Sequence, residues 1–154
     1  MSGFRADHKT ARVRPSPNFS ERKDGKSVTT IILHYTGMVT GEAAEDWLCN
    51  AQSEVSSHYL VHEDGRIVQM VRERDRAWHA GKSFWKGETD MNSVSVGIEI
   101  VIRVPDVDRL ARELVAAGIV VTGPDDQAWG ARHAWTHDPS GYRVSIFSPI
   151  AEPA

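Results

Sequence analysis

The apolar and polar positions along the chain repeat with two periods, one suited to strands and one to helices. Residues 29–37, TTIILHYTG, are a short apolar run rich in β-branched side chains. Such a run predicts a buried strand, here ending in His34, Tyr35 and Thr36. Residues 41–49 then place Ala44, Trp47 and Leu48 at i, i+3 and i+4, predicting a helix with one face on a sheet and Asn50 as its stop. Two strand-like runs follow, 57–62 and 67–71, joined by Glu63-Asp64-Gly65-Arg66, whose Asp-Gly pair suits a tight hairpin turn. Residues 72–93 read as a polar loop with aromatics, longer than most connections in a compact domain. Residues 95–101, SVGIEIV, predict a second buried strand.

The remainder has its own pattern. Asp106 is a suitable N-cap, and Val107, Leu110, Ala111, Leu114 and Ala117 make one helical stripe that stops at Gly118. Strands are predicted at 119–122, 128–136 and 142–147, separated by the turn clusters GPDD and HDPSG. The first 27 residues, with Pro15, Pro17 and Asp24-Gly25, read as an arm and loop. The fold class expected is α/β, a mixed central sheet with flanking helices, divided as an arm (1–27), a region 28–101, a module 102–150 and a tail 151–154.

Composition narrows this picture. A length of 154 residues, with 40% hydrophobic and 25% charged, fits one compact domain or two half-sized modules sharing a sheet. A net charge of −3 supplies no field for nucleic acid or anionic lipid, and the locally basic first 26 residues read as a solvated arm. The amino terminus lacks a signal-peptide core and no run reaches membrane-spanning length, so the expected compartment is the cytoplasm. Cys49 is the single cysteine; it reads as a small buried hydrophobe on the helix, without the setting of a nucleophile.

The candidate chemistry starts at His34, because ligands bind at the C-terminal ends of strands in open α/β sheets. An imidazole there is held rigidly for a metal or substrate, or else is a hydrogen-bonded core histidine. Glu99 lies in an apolar run, where a carboxylate needs a partner or a role. Strand alternation puts Tyr59 and Val61 on one face and His58, Leu60 and His62 on the other. On a half-exposed strand those two histidines read as solvated, not as ligands. Trp78-His79-Ala80-Gly81 suits a cleft wall for a sugar or peptide, or a loop anchored by Trp78 and Trp85.

In order, IILHYTG, SHYLVHEDGRIVQMV, RAWHAG and NSVSVGIEIV resemble the zinc-dependent N-acetylmuramoyl-L-alanine amidases related to peptidoglycan recognition proteins, most closely the cytosolic muropeptide-recycling type. The resemblance covers roughly residues 3–101. It implies His34 as the first zinc ligand, Glu99 as the acid/base, Tyr59 as an active-site tyrosine, and Tyr35, Trp78 and His79 as substrate-cleft residues. It implies one zinc ion as cofactor, muropeptides as partners, and cleavage of the amide between the lactyl group of muramic acid and L-alanine. A catalytic zinc takes three protein ligands and an open position for water, which agrees with a carboxylate beside the metal.

After Val101 the family's second zinc histidine, its lysine and its third ligand are not recognisable. Residues 101–149 instead resemble one βαβββ module of the vicinal oxygen chelate superfamily, with Ser145 where a glutamate ligand often stands. One such module leaves an open edge, which implies a homodimer through it. His133, His137 and Asp138 have the side-chain types of the missing ligands, but His137-Asp138-Pro139 reads as a turn. The functions expected are therefore a zinc amidase, a muropeptide-binding remnant, or a chelate-type dimer acting on a small molecule.

Overall fold

A computed structural model describes residues 4–38, 40–101, 104–128, 130–137 and 143–150. In chain order the elements are β1 (Arg12–Val13), β2 (Phe19–Ser20), β3 (Thr30–Tyr35), α1 (Gly41–Leu48), β4 (Tyr59–Val61), β5 (Ile67–Gln69), β6 (Arg76–Ala77), α2 (Met91–Val94), β7 (Ser95–Ile100), α3 (Val107–Ala116), β8 (Thr122–Gln127), β9 (Ala131–His137) and β10 (Arg143–Pro149). The fold is α/β with a mixed central sheet, and it divides into two compact units, Met1–Val101 and Ile102–Ala154.

In the first unit a five-stranded sheet runs β1-β5-β4-β7-β3. The Asp64-Gly65 turn makes β4 and β5 antiparallel, with Gly65 at φ 84°, where a side chain would strain the backbone. The crossovers through α1 and through the 72–93 segment leave β3, β7 and β4 mutually parallel. Paired residues share a sheet face, so His34, Glu99 and Leu60 point one way and Leu33, Ile98 and Tyr59 the other. On the first of these faces α1 packs Ala44 and Leu48 against Leu60, Val68, Met70 and Val101, all buried.

Several expectations change. The 29–37 run is an edge strand, not a buried one: among the described residues β3 has β7 on one side only, and Ile31 and Leu33 are 64% and 63% exposed. Trp47, expected on the packed face of α1, is half-exposed, and Glu45 is buried. The reason is ionic, since Arg12 and Arg14 reach Glu45 from the chain start. That basic segment is therefore not a solvated arm: β1 pairs with β5, and Ser16 and Asn18 are buried. Asn18 Nδ2 donates to the carbonyls of Asn50 and Val55, which moors the segment to the loops after α1. The long loop is also not wholly irregular, since β6 within it pairs with β2 and α2 closes it.

The second unit is α3 with a three-stranded antiparallel sheet, β10-β9-β8. Asp106 caps α3 by accepting from Arg109 N–H at 2.9 Å, and Gly118 follows the helix at φ 83°. Val107 and Ala111 of the predicted stripe are buried, and Leu110 and Leu114 pack with Ala134 and Ile146. The GPDD cluster is strand, not turn: β8 begins at Thr122, with a register irregularity between Thr122 and Asp125. An edge position tolerates Pro124 there, because no inner ladder needs its missing N–H. The predicted strand at 119–122 therefore moves later. The predicted turn at Asp138–Gly141 lies outside the described residues.

Candidate active site

The site is built on the face of the first sheet that carries His34 and Glu99, adjacent across β3 and β7 in register. Beside them a cleft of about 210 Å³ is lined by Tyr35, Thr36, Trp47, Trp78, His79 and Glu99, among others. Its walls are largely aromatic or aliphatic, with the Glu99 carboxyl among the few polar groups. That carboxyl has been desolvated without compensation: its Oε2 is buried with no hydrogen-bond partner, and burial pushes its pKa up to about 7. A carboxyl so placed is poised to give or take a proton near neutral pH.

His34 is half-buried, and burial lowers its pKa, so its imidazole is neutral at pH 7. Its Nε2 lies 3.0 Å from Nδ1 of His79, with the rings edge to face. His79 in turn sits on the backbone of Gly97, where a Cβ would stand 2.4 Å from the His79 ring; no side chain fits at that position of β7. His58 lies beyond, 5.7 Å from His79 between ring centroids. The Gly97 N–H donates to His58 Nδ1, so His58 Nε2 carries the proton and donates to the Asp75 carbonyl. Burial, chiefly, brings His58 down to about 4 and His79 to about 3, and in the latter neighbouring His34 and His58 add to the effect. All three rings are uncharged at neutral pH.

The expected solvation of His58 and His62 is thus overturned; both are fully buried. The packing of α1 and the 72–93 segment over that face was not visible in strand alternation alone. His62 donates from Nε2 to Glu45, which also receives Arg12 at 2.6 and 2.7 Å and Arg14 at 3.2 Å. Tyr59, implied as an active-site tyrosine, is on the opposite sheet face. Its hydroxyl donates to Glu73 at 2.6 Å, and burial raises its pKa, so it takes no part in the His34 cleft. Trp78 and Tyr35 do line the cleft, and Trp78 is fixed by its indole N–H donating to Ser20 Oγ. Trp85 does not anchor the loop; it is half-exposed.

A three-ligand zinc centre is not assembled around His34 by the described residues. Among them, the group of potential ligands close enough to share one ion is Glu42, His62 and Glu63, which excludes His34. At that group Arg66 already supplies a positive charge, donating to Glu42 at 2.8 Å and lying 3.4 Å from His62 Nδ1. In the second unit His133 is buried with its ring 4.0 Å from that of Trp135, His137 ends β9 in solvent, and Asp138 lies outside the described residues.

Comparison with known proteins gives the site a context. The 1,6-anhydro-N-acetylmuramyl-L-alanine amidase AmpD of Escherichia coli K12 is 34% identical over 107 residues, which cover 58% of this chain and 58% of that protein. The N-acetylmuramoyl-L-alanine amidase AmiD of the same strain is 37% identical over 84 residues, 47% of this chain and 28% of AmiD. A crystal structure of a selenomethionine AmpD derivative aligns with a TM-score of 0.56 at 29% identity, covering 71% of this chain and 72% of that one. The chain thus spans less than two thirds of the length of the curated relative, 58%. The Amidase_2 family model, described as N-acetylmuramoyl-L-alanine amidase, matches residues 24–141, a span that runs well past Val101, where the family's motifs cease to be recognisable by eye. By that match, which takes in most of the sequence, the chain belongs to the N-acetylmuramoyl-L-alanine amidase family.

Proposed function

We propose that the chain hydrolyses the amide between the lactyl group of muramic acid and L-alanine in peptidoglycan fragments, with zinc as cofactor and His34 as the ligand supplied by the first unit. The observation that carries this reading is Glu99: a carboxyl whose Oε2 is buried with no partner, raised to a pKa of about 7, lining an aromatic-walled cleft and in register with His34 on the next strand. In this reading Glu99 takes a proton from attacking water and returns one to the leaving amine of L-alanine, while Trp78 and Tyr35 bind the sugar or peptide. The zinc, when bound, supplies Lewis-acid stabilisation of the developing oxyanion. His34 is the one ligand the described residues offer to that ion in this reading, so turnover by this chain is expected to be slow. The AmpD relative's name supplies the substrate class, 1,6-anhydro-muramyl peptides. The likeness to the muropeptide-recycling type supports a cytoplasmic location; no described helix is long and apolar enough to cross a membrane.

The partial donor set favours a second reading, muropeptide binding without cleavage. Release of L-alanyl peptide from an anhydromuramoyl peptide, followed with and without added zinc, separates the two. The expected result is slow release, lost in His34→Ala and Glu99→Gln. Tight binding of the peptide with no release at any zinc concentration would establish the second reading instead. The likeness of the second unit to a chelate-type module is supported by α3 preceding three antiparallel strands and by the Val104 N–H donating to the Phe147 carbonyl at 3.2 Å. A homodimer through that unit belongs to the same reading, and sedimentation measures it.

A further inference from the structure

The hydrogen bonds behind His34 have one consistent direction. The Ser95 hydroxyl has a single proton and spends it on the Met91 carbonyl, one turn earlier in the chain, at 2.6 Å. Ser95 Oγ is 3.2 Å from His79 Nε2 and can only accept there, so His79 Nε2 carries the proton of that neutral ring. His79 Nδ1 is then a bare lone pair facing His34 Nε2 at 3.0 Å, and His34 Nε2 must be the donor. The backbone is set to hold this arrangement. Asn92 Oδ1 accepts from the amides of His79 and Ala80 at 3.1 and 2.8 Å, and Gly97 leaves the space the His79 ring occupies.

We propose that His79 is a positioning residue for His34: the relay from Met91 through Ser95 and His79 fixes His34 as the Nε2–H tautomer and leaves its ligating lone pair on Nδ1. A ring nitrogen ligates only when its lone pair is free, so choosing the tautomer chooses the ligand atom and the ring's orientation. This extends the assignment of His34 as a zinc ligand and rests on that reading. His79 thereby acquires a role distinct from that of a cleft wall, and Gly97 and Ser95 are required by it.

The test is the tautomeric state of His34 in the metal-free full chain, read from long-range proton–nitrogen correlations of nitrogen-15 histidine, alongside titration with zinc alone. The wild type is expected to show His34 protonated at Nε2. His79→Ala is expected to give a mixture of both tautomers and about tenfold weaker zinc binding. His79→Asn, whose side-chain oxygen restores an acceptor, recovers most of both. Should His79→Ala fail to fold, Ser95→Ala releases the relay from its far end without touching either ring and shifts both readouts the same way. His34 protonated at Nδ1 in the wild type would overturn the inference. So would a folded His79→Ala or Ser95→Ala with unchanged tautomer and zinc affinity. The tautomer needs neither substrate nor metal, so absence of amide hydrolysis would count against the proposed activity while leaving this result to stand by itself.

Discussion

Two glutamates with buried carboxyl oxygens meet the same face of the first sheet, one from α1 and one within β7, and they have opposite chemistry. Glu45 pairs with Arg12 and Arg14 and accepts from His62. Burial alone would raise its pKa, but the two guanidinium groups outweigh burial and hold it below the usual value. Glu99 is desolvated too, its Oε2 has no partner and no guanidinium offsets the burial, so it is pushed up to about 7. A buried carboxylate that has found its cations holds the fold together. One left without them titrates near neutral pH, which is the property the proposed acid/base role of Glu99 requires.

The largest test of this contrast is catalytic. Glu99→Gln is expected to reduce release of L-alanyl peptide by about 10²- to 10⁴-fold, the usual worth of a general acid/base, with an unchanged circular dichroism spectrum. Glu45→Gln should leave the rate per folded molecule within a few-fold of wild type. A comparable loss in both would erase the distinction.

Stability should respond the other way round. Glu45→Ala strips His62 of its acceptor inside the fold and frees two arginines, and urea denaturation is expected to show a loss of about 2–4 kcal/mol. The loss falls short of a fully buried pair because the Arg12 and Arg14 side chains are 54% and 38% exposed and regain water.

The pH dependence sharpens the comparison further. Between the ordinary value of 4.5 and about 7, native Glu99 holds a proton that the unfolded chain has lost, so this group costs stability as pH rises through that window. Glu99→Gln removes the penalty. Relative to wild type it should gain about 2 kcal/mol by pH 8, and nothing at pH 4. His58 acts in the opposite sense. Its native pKa of about 4 against 6.5 unfolded means that acidification through that window removes stability, and Glu99 partly offsets the loss. From pH 8 down to pH 4 the stability of Glu99→Gln should therefore fall more steeply than that of the wild type, the two curves meeting near pH 4, so that acid unfolding of the variant begins no earlier than that of the wild type.

The smallest effect is expected at Cys49. Its thiol is half-buried, donates weakly to the Arg14 carbonyl at 3.5 Å, and is pushed up to about 11 by burial. Cys49→Ser should change stability by less than about 1 kcal/mol and leave hydrolysis unchanged, and alkylation of the native thiol at pH 7 should be slow.

What the sequence disclosed and what it concealed follow from the range of the forces involved. The Asp64-Gly65 hairpin, the Asp106 cap and the α3 stripe depend on neighbours a few residues away, and each lies where pattern places it. His34 and Glu99 were legible because strand ends and a charge in an apolar run are local oddities. The burial of His58 and His62, the Arg12–Glu45 pairing and the His34–His79–Ser95 relay join residues 16 to 45 positions apart, and no periodicity encodes them. Gly97 carried a usable signal: a glycine inside an otherwise apolar strand marks close approach of another group, here the His79 ring. Tyr59 shows the reverse. Alternation set it opposite His58 and His62, but only the register of β4 and β3 on β7 turns it away from His34, where the family resemblance had drawn it.

β3 also governs how the protein behaves at high concentration. Among the described residues its outer edge has no strand beside it, and Ile31 and Leu33 offer adjacent apolar side chains to solvent on a window with strong β-propensity and no charge from Thr29 to Leu33. Such an edge recruits other chains, so colloidal stability is limited by this strand and not by the melting temperature of the fold. A single gatekeeper charge, Leu33→Lys, points away from the face that carries His34 and Glu99 and should raise the concentration at which light scattering sets in.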